Sequence, residues 1–590
     1  MDRSTETRPS KKTFDYVVGL VSCLLVLLPA ALALLYVRAF GVSVVFSDAW
    51  AMVPLFDKWS SGTLQAADLF RLHNEHRIFF PKAVELLLAS LTRYDNLAEM
   101  YFIQVCSLVT LAILLLAFKY SVSKENDKPW WLLLFVPVSF LIFSFRQYEN
   151  MLFGFQINFA FTQTFGVLAL FLLYVSGRKR FGKFAFVAAL VSGTVATFSN
   201  AQGLFVWPVG LLQLLIGPLE RSAKRVLMAV WGLIGLTQWV AYFIDYESKD
   251  GSSLLYAFSH PVAGAQYFLN LLGSSLFWQQ DSAFMGGLLL AGLALVSLFL
   301  IYRDESLGGY SFWVSLLFYS LFMLAAIALG RSGKFPTVQA LAPRYTSFSI
   351  LAVASVYAML VKMTLERRSV IRTVLLVAVC GLTLMSATVS YSKGIEVGSK
   401  EKVSREKAAF VLSTYESQPD EALTESLNPR AKVVRERAAV LQRLGYNVFS
   451  ERQAPDLPPP LSTLSSVSSL NASAFLISGP GISQQDQAVV VPEEGTFIKA
   501  NGWAVDANNE STAGGVYIDI DGELFPAFYW MDTQDLADSS GVPAYRYAGF
   551  ERALPVTEIG TGTHQLSIVV LTSDGEGYYQ PDRKITLEVR

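Results

Sequence analysis

Long apolar runs, broken by short polar stretches, dominate the first two thirds of the chain. They fall near residues 16–40, 97–118, 129–145, 157–176, 184–199, 203–217, 226–244, 284–302, 311–330, 345–363 and 373–391. A helix crossing the hydrocarbon core of a bilayer needs about 20 mostly apolar residues, so the pattern predicts about 11 transmembrane helices. The pair over 184–217 is interrupted by Asn200, Gln202 and Gly203. The first run is longer than a signal-peptide core and reads as a retained span. After residue 391 the pattern changes. Residues 392–453 are charged and helix-permissive, with Ala and Leu recurring at helical spacing in REKAAFVL and RERAAVLQRLG. A Pro/Ser-rich stretch over 454–474 reads as a linker. Residues 475–590 carry short β-type runs, TFIKANGWAV, GVYIDIDG and HQLSIVVLTS, separated by Gly and Asp turns. A β-sandwich is expected there, with a closed barrel as the alternative.

Composition narrows the class. Apolar residues make up 53% of the 590 positions and charged residues 16%, against about 25% charged in a soluble protein. Such a chain lacks the polar surface to cover a water-facing globule, which excludes disorder, collagen and a cytosolic enzyme. The 47 basic and 48 acidic residues nearly cancel, so nothing points to nucleic acid as a partner. Cys23, Cys106 and Cys380 lie inside apolar runs without metal-ligand spacing, and neither a disulfide framework nor a zinc site is indicated.

Charge also orients the runs. Arg3, Arg8, Lys11 and Lys12 precede the first, and alternate short loops carry Lys119, Lys124 and Lys128, then Arg178, Lys179, Arg180 and Lys183, then Arg221, Lys224 and Arg225. Arg303 follows, then Lys362, Arg367, Arg368 and Arg372. By the positive-inside rule these loops face the cytoplasm, and an odd number of spans sends the tail outside. The expected fold is therefore a polytopic α-helical membrane protein with an appended extracytoplasmic β-sandwich. Its parts are a transmembrane domain over 1–391 with a first outer loop at 41–96, a helical segment at 392–453, the linker at 454–474 and the sandwich at 475–590. The expected location is the cytoplasmic (inner) membrane of a bacterium.

Candidate chemistry concentrates in the outer loops. His73, Asn74, Glu75, His76 and Arg77 are consecutive and include two of the four histidines. In a helix, His73, His76 and Arg77 would share one face while Glu75 points elsewhere. Such a group suits metal coordination, phosphate binding or proton transfer; the structural alternative is a polar re-entrant turn. Asp48 follows the first span within FSDAW. A carboxylate so near the hydrocarbon edge is costly unless paired or solvated, and it also suits an N-cap for a helix starting near Ala49. Asp57 and Asp68 read as solvated residues of amphipathic helices. Arg146, Glu149, Asn150 and Gln156 lie in FRQYENMLFGFQINF, and Asn200 and Gln202 follow another span. Arg331, Lys334 and Arg344 lie in GRSGKFPTVQALAPRY and break the positive-inside pattern. Three outer cations suit a lipid-linked phosphate or pyrophosphate, the alternative being ion pairs with Glu75, Asp48 or Glu149. Walker A, GxSxG, HExxH and dinucleotide fingerprints are absent, which leaves ATPase, hydrolase and zinc-protease readings without support.

The layout resembles the GT-C superfamily of integral-membrane glycosyltransferases, which use polyprenyl-phosphate-linked sugars. The resemblance rests on about 11 spans, a long first outer loop with Asp48 just after the first span, the HNEHR run, and a soluble domain after the last span. In that superfamily the first-loop acid acts as base or metal ligand, often within an Asp-Asp or Asp-Glu pair. Asp48 is flanked by Ser47 and Ala49, which leaves Glu75 as the second carboxylate and Asp48 with Glu75 as the ligands of any divalent cation, magnesium or manganese. The resemblance implies a single displacement at an anomeric carbon. Asp48 would be the base, with Glu75 and His76 as further catalytic candidates. Arg331, Lys334 and Arg344 would clamp the departing phosphate, while His73, Arg77, Arg146 and Glu149 complete the binding set. Implied partners are membrane lipids, a polyprenyl-phosphate sugar donor and a glycan, lipid or protein acceptor. A transporter, flippase or polymerase of lipid-linked glycans is the rival, although the internal repeats expected of a transporter are not seen. The loop charges generate one direct expectation: cysteines introduced at Ser61 and Ser466 label with an impermeant thiol reagent in intact cells. Labelling of both only after permeabilisation would reverse the orientation.

Overall fold

A computed structural model describes residues 11–122, 130–177, 182–246, 252–367, 369–452, 458–468, 473–485, 488–492 and 497–590. Arg3, Arg8, Lys124, Lys128, Arg178, Lys179, Arg180, Arg368 and parts of the 454–474 stretch lie outside the described residues. The chain forms two compact units. One takes the chain up to Gly41, Lys58–Leu91 and Asn96–Ser399; the other takes Val42–Asp57, Thr92–Asp95 and Lys400–Arg590.

The first unit is helical. Among the described residues nine helices are long and apolar enough to cross a membrane, which makes this a multi-pass membrane protein: Asp15–Phe40, Asn96–Val122, Trp130–Leu152, Gly154–Ser176, Arg221–Phe243, Gln280–Arg303, Leu307–Arg331, Pro343–Glu366 and Val370–Ser413. The expected count of about 11 is corrected in the region already marked by Asn200. Gly182–Thr197 and Ala201–Ile216 are two shorter helices. The Asn200 backbone is extended, and its side chain accepts from the Gln202 amide at 3.5 Å. A helix of 16 residues is only about 24 Å long, short of the roughly 30 Å hydrocarbon core.

Pro343–Glu366 is buried along most of its length, while Val226, Leu233, Leu236 and Val240 of Arg221–Phe243 are exposed, as on a lipid-facing helix. Packing is close. A Cβ on Gly166 would come within 2.3 Å of the Tyr319 hydroxyl, which donates to the Thr162 carbonyl at 3.1 Å. Around the first loop, Ala66–Phe70 opens with a capping box between Gln65 and Asp68. Asp68 is buried and bonded to Lys58 at 2.6 Å, so the solvated reading of Asp68 is corrected. The Lys58 hydrogen bond, then that of the Gln65 amide, holds its carboxyl below the usual range.

In the second unit, Ala431–Leu444 is closed by Gly445 in a left-handed C-cap at φ +62°. Arg443 of this helix pairs with Asp57 at 2.7 Å, and Arg437 donates to the Trp50 carbonyl at 2.5 Å. The β region forms two separate sheets. In one, Gly562–Leu571 runs antiparallel to both Ile585–Val589 and Gly515–Ile520. In the other, Phe497–Asp506 lies between Ser473–Ser478 and Gly549–Pro555, and the latter pairs with Phe528–Met531. Alternating residues of both sheets, among them Ile498, Ala500, Ile518 and Ile568, share one core.

The helices of this unit are tied to its sheets. Glu551 accepts from Lys407 at 2.6 Å and from Lys499 at 2.7 Å. Arg552, 1% exposed, donates to Thr414 Oγ1 at 3.2 Å, the Ser417 carbonyl at 3.1 Å and Ser417 Oγ at 2.7 Å. Hydrogen-bond partners therefore join residues on both sides of the Pro/Ser stretch. Truncating Arg552 leaves buried acceptors unpaired, so Arg552→Ala is expected to destabilise this unit by roughly 1–3 kcal/mol. Earlier proteolysis of residues 400–590 on heating the full chain would register that loss, and an unchanged proteolysis midpoint would refute it.

Candidate functional site

The predicted outer residues collect at span ends: the C-terminal ends of Trp130–Leu152 and Leu307–Arg331, and the N-terminal ends of Gly154–Ser176 and Pro343–Glu366. The HNEHR run is not a helix. The His73 amide donates to the His76 carbonyl at 2.8 Å and the His76 amide to the His73 carbonyl at 2.9 Å, an isolated antiparallel bridge. Asn74 adopts φ +51° in the turn, a conformation Asn tolerates better than most residues. Residues directly opposite in such a bridge place their side chains on one face. The two imidazoles thus share a face through a tight turn, which corrects the helical expectation.

Arg77, the next residue, turns into the protein. Its guanidinium donates to the Tyr242 carbonyl at 2.6 Å, the Phe70 carbonyl at 2.8 Å and the Ile244 carbonyl, over the Phe70 ring. Arg146 behaves alike, donating to the carbonyls of Leu341 at 2.6 Å and Phe277 at 3.3 Å. Its guanidinium lies 4.7 Å from the Trp278 ring centroid. Both arginines are buried and bound to backbone carbonyls, which are structural contacts.

The remaining residues form the site proper. Lys334 bonds Glu75 at 3.2 Å, and Arg344 bonds Glu149 at 2.6 Å. Asn150 donates to the Arg344 carbonyl at 3.1 Å. Arg331 lies over the rings of Phe335 at 5.3 Å and Tyr345 at 5.6 Å, and Arg344 over Tyr345 at 5.0 Å. Among the described residues no carboxylate pairs with Arg331. His73 packs edge-on to Phe155 at 4.9 Å. His76 Nδ1 accepts from the Ala201 amide at 3.4 Å, which assigns the proton to Nε2. Burial, then Arg331, then His73 push its pKa down to about 3, so the ring is neutral at physiological pH. The structure brings together His73, Glu75, His76, Arg331 and Lys334, and the Tyr345 ring connects Arg331 to Arg344 and Glu149.

Asp48 belongs to the other unit. It is exposed and sits second in a 3-10 helix, Ser47–Met52, whose cap position is held by Phe46. The N-cap expectation is corrected accordingly. The described residues contain no group of three His, Cys, Asp or Glu side chains suited to a metal. Asp48 and Glu75 fall in different units. Sequence reading missed the aromatic frame of Phe335, Tyr345 and Phe155. It also missed Tyr267, whose buried hydroxyl lacks a hydrogen-bond partner among the described residues. Burial, then Tyr345, raises the Tyr267 pKa, while Arg331 and Arg344 oppose the rise. In the sequence the frame is signalled only by adjacency: Phe335 follows Lys334, Tyr345 follows Arg344 and Phe155 precedes Gln156.

No family model matches the chain. A stretch of 262 residues is 25% identical to an uncharacterized protein of Archaeoglobus fulgidus, covering 40% of this chain. The match spans 66% of that relative's length, slightly under two thirds.

The His76 environment fixes a pH dependence. An ordinary histidine titrates at 6.5 and His76 at about 3, so on acidification the unfolded state takes up a proton that the folded state refuses. Its contribution to stability is complete above 6.5 and is lost as pH falls from there towards about 3. Thermal unfolding at pH 7 and pH 5 checks this: wild type is expected to lose more stability between the two than His76→Gln. Equal losses would remove the assignment.

Proposed function

We propose that this protein is a membrane glycosyltransferase of GT-C type, moving a sugar from a polyprenyl-phosphate donor to an extracytoplasmic acceptor by single displacement. The observation that carries the reading is Arg331, held over the Phe335 and Tyr345 rings beside a neutral His76, with Lys334 and Arg344 nearby. A guanidinium fixed by aromatic faces keeps its charge and its forked donors for an anion. Phosphate is the matching anion, and as a leaving group it needs cations more than a proton donor. The span-end position suits a donor whose phosphate lies at the membrane surface and whose chain lies in lipid. In this proposal Arg331 binds the phosphate, while Lys334 and Arg344 exchange from their carboxylates towards it. Glu75, released from Lys334, takes the acceptor proton, and His73 with His76 orients the sugar. Asp48 remains the base implied by the resemblance and is tested beside Glu75.

Purified full-length protein, offered a panel of polyprenyl-phospho sugars, provides the test. Arg331→Ala should weaken donor binding by roughly 1.5–3 kcal/mol, as loss of a charged hydrogen bond does. Glu75→Gln should cut transfer by about 10²–10⁴-fold, the range of positioned acid–base groups, with donor binding nearly unchanged. If Asp48→Asn gives that loss and Glu75→Gln does not, the base passes to Asp48. Absence of transfer by the folded wild type with every donor, together with movement of lipid-linked glycan across vesicles, would replace this reading with a transporter or flippase.

A further inference from the structure

The opposite end of the helical unit from the candidate site holds a cavity. It measures about 580 Å³ and is lined by residues including Tyr120, Ser121, Gln213, Gly308, Lys362 and Glu366. Each lies at the end of a helix: Tyr120 near the end of Asn96–Val122, Gln213 in the last turn of Val206–Ile216, Gly308 at the start of Leu307–Arg331, and Lys362 and Glu366 in the last turns of Pro343–Glu366. This is the end that carries Lys119, Lys224, Arg303 and Arg367. The cavity therefore sits at the level of lipid head groups and not in the hydrocarbon.

Its polar groups are complementary in kind. Lys362, 8% exposed, donates to the Gly309 carbonyl at 2.5 Å and stands 3.6 Å from Glu366. Glu366 accepts the Tyr310 hydroxyl at 2.5 Å. Opposite charges in one wall give no preference for a simple anion. Gln213, 3% exposed, supplies the deciding observation. Its Nε2 donates to the Leu170 carbonyl at 2.7 Å, which fixes the amide orientation. Its Oε1 is buried without a hydrogen-bond partner among the described residues. A buried acceptor left unmade is costly, and Gln213 is one of the residues that line the cavity.

We infer that this cavity binds the head group of an amine-bearing phospholipid. The ammonium N–H groups serve Gln213 Oε1 and Glu366, the phosphate meets Lys362, and the acyl chains leave between the helix ends into the bilayer. Phosphatidylethanolamine has the required N–H donors. Phosphatidylcholine has the same charges and nearly the same shape but no N–H, which isolates the hydrogen bond from charge and size. The inference rests on the membrane-spanning fold alone and is independent of the proposed transfer reaction.

Native mass spectrometry of the full chain released from nanodiscs of equal phosphatidylethanolamine and phosphatidylcholine content tests it without any variant. Wild type should retain phosphatidylethanolamine over phosphatidylcholine by about tenfold, the size of one net hydrogen bond. Gln213→Leu, close in volume and without the acceptor, should abolish that preference while leaving the protein folded by circular dichroism. Equal retention of the two lipids by wild type, or an undiminished preference in Gln213→Leu, would overturn the inference. Displacement of the lipid by micromolar glycerophosphoethanolamine would overturn the lipid as the source and assign the cavity to a soluble phosphodiester.

Discussion

Helix ends leave carbonyls without intrahelical partners, and several such ends in the first unit are buried away from water. The first unit answers with buried guanidinium groups. Arg77 gathers the carbonyls of Phe70, Tyr242 and Ile244, which terminate two different helices. Arg146 gathers those of Phe277 and Leu341. Each satisfies several orphan acceptors at once, and in return the acceptors repay the desolvation of the cation. Lys82 does the same on a smaller scale, donating to the carbonyls of Leu69 and Arg71; burial pushes its pKa down to about 8. These clamps hold the loops on which the candidate site depends.

Once Arg77 and Arg146 are committed to the backbone, the chemistry narrows. Lys334 and Arg344 are matched to Glu75 and Glu149, and Arg331 is held by rings. Positive charge at this end therefore comes in three grades: locked, exchangeable and open. His76 reports the same field, since Arg331 adds to burial in keeping its ring neutral.

Much of the helical unit was legible because a membrane imposes length and apolarity on each span. The misreading of the spans, over 184–217, lay where Asn200 had already flagged a break. The site was legible as composition but not as geometry. Sequence put HNEHR, Arg331, Lys334 and Arg344 into one list, yet could not tell Arg77 from Arg331. The carbonyl of Tyr242 that occupies Arg77 lies 165 positions away, and no local pattern announces a partner at that distance. The His73–His76 turn was hidden for a different reason: five polar residues fit a helix face as well as a bridge, and the left-handed backbone of Asn74 decided between them. Asp48 was read from its proximity to the first span, whereas the fold gives it to the other unit.

The two carboxylates in the site also act as resident competitors. Any anion approaching Lys334 or Arg344 meets a cation already neutralised by Glu75 or Glu149. A monovalent ion such as chloride offers no more charge than the carboxylate it would replace, and it lacks the tether that keeps the carboxylate close. A multiply charged group with several oxygens can engage Arg331 first and then draw the neighbouring cations across. Under the proposed function the ion pairs would therefore act as a filter on valence, favouring a polyvalent head group over the monovalent salts that surround every membrane surface.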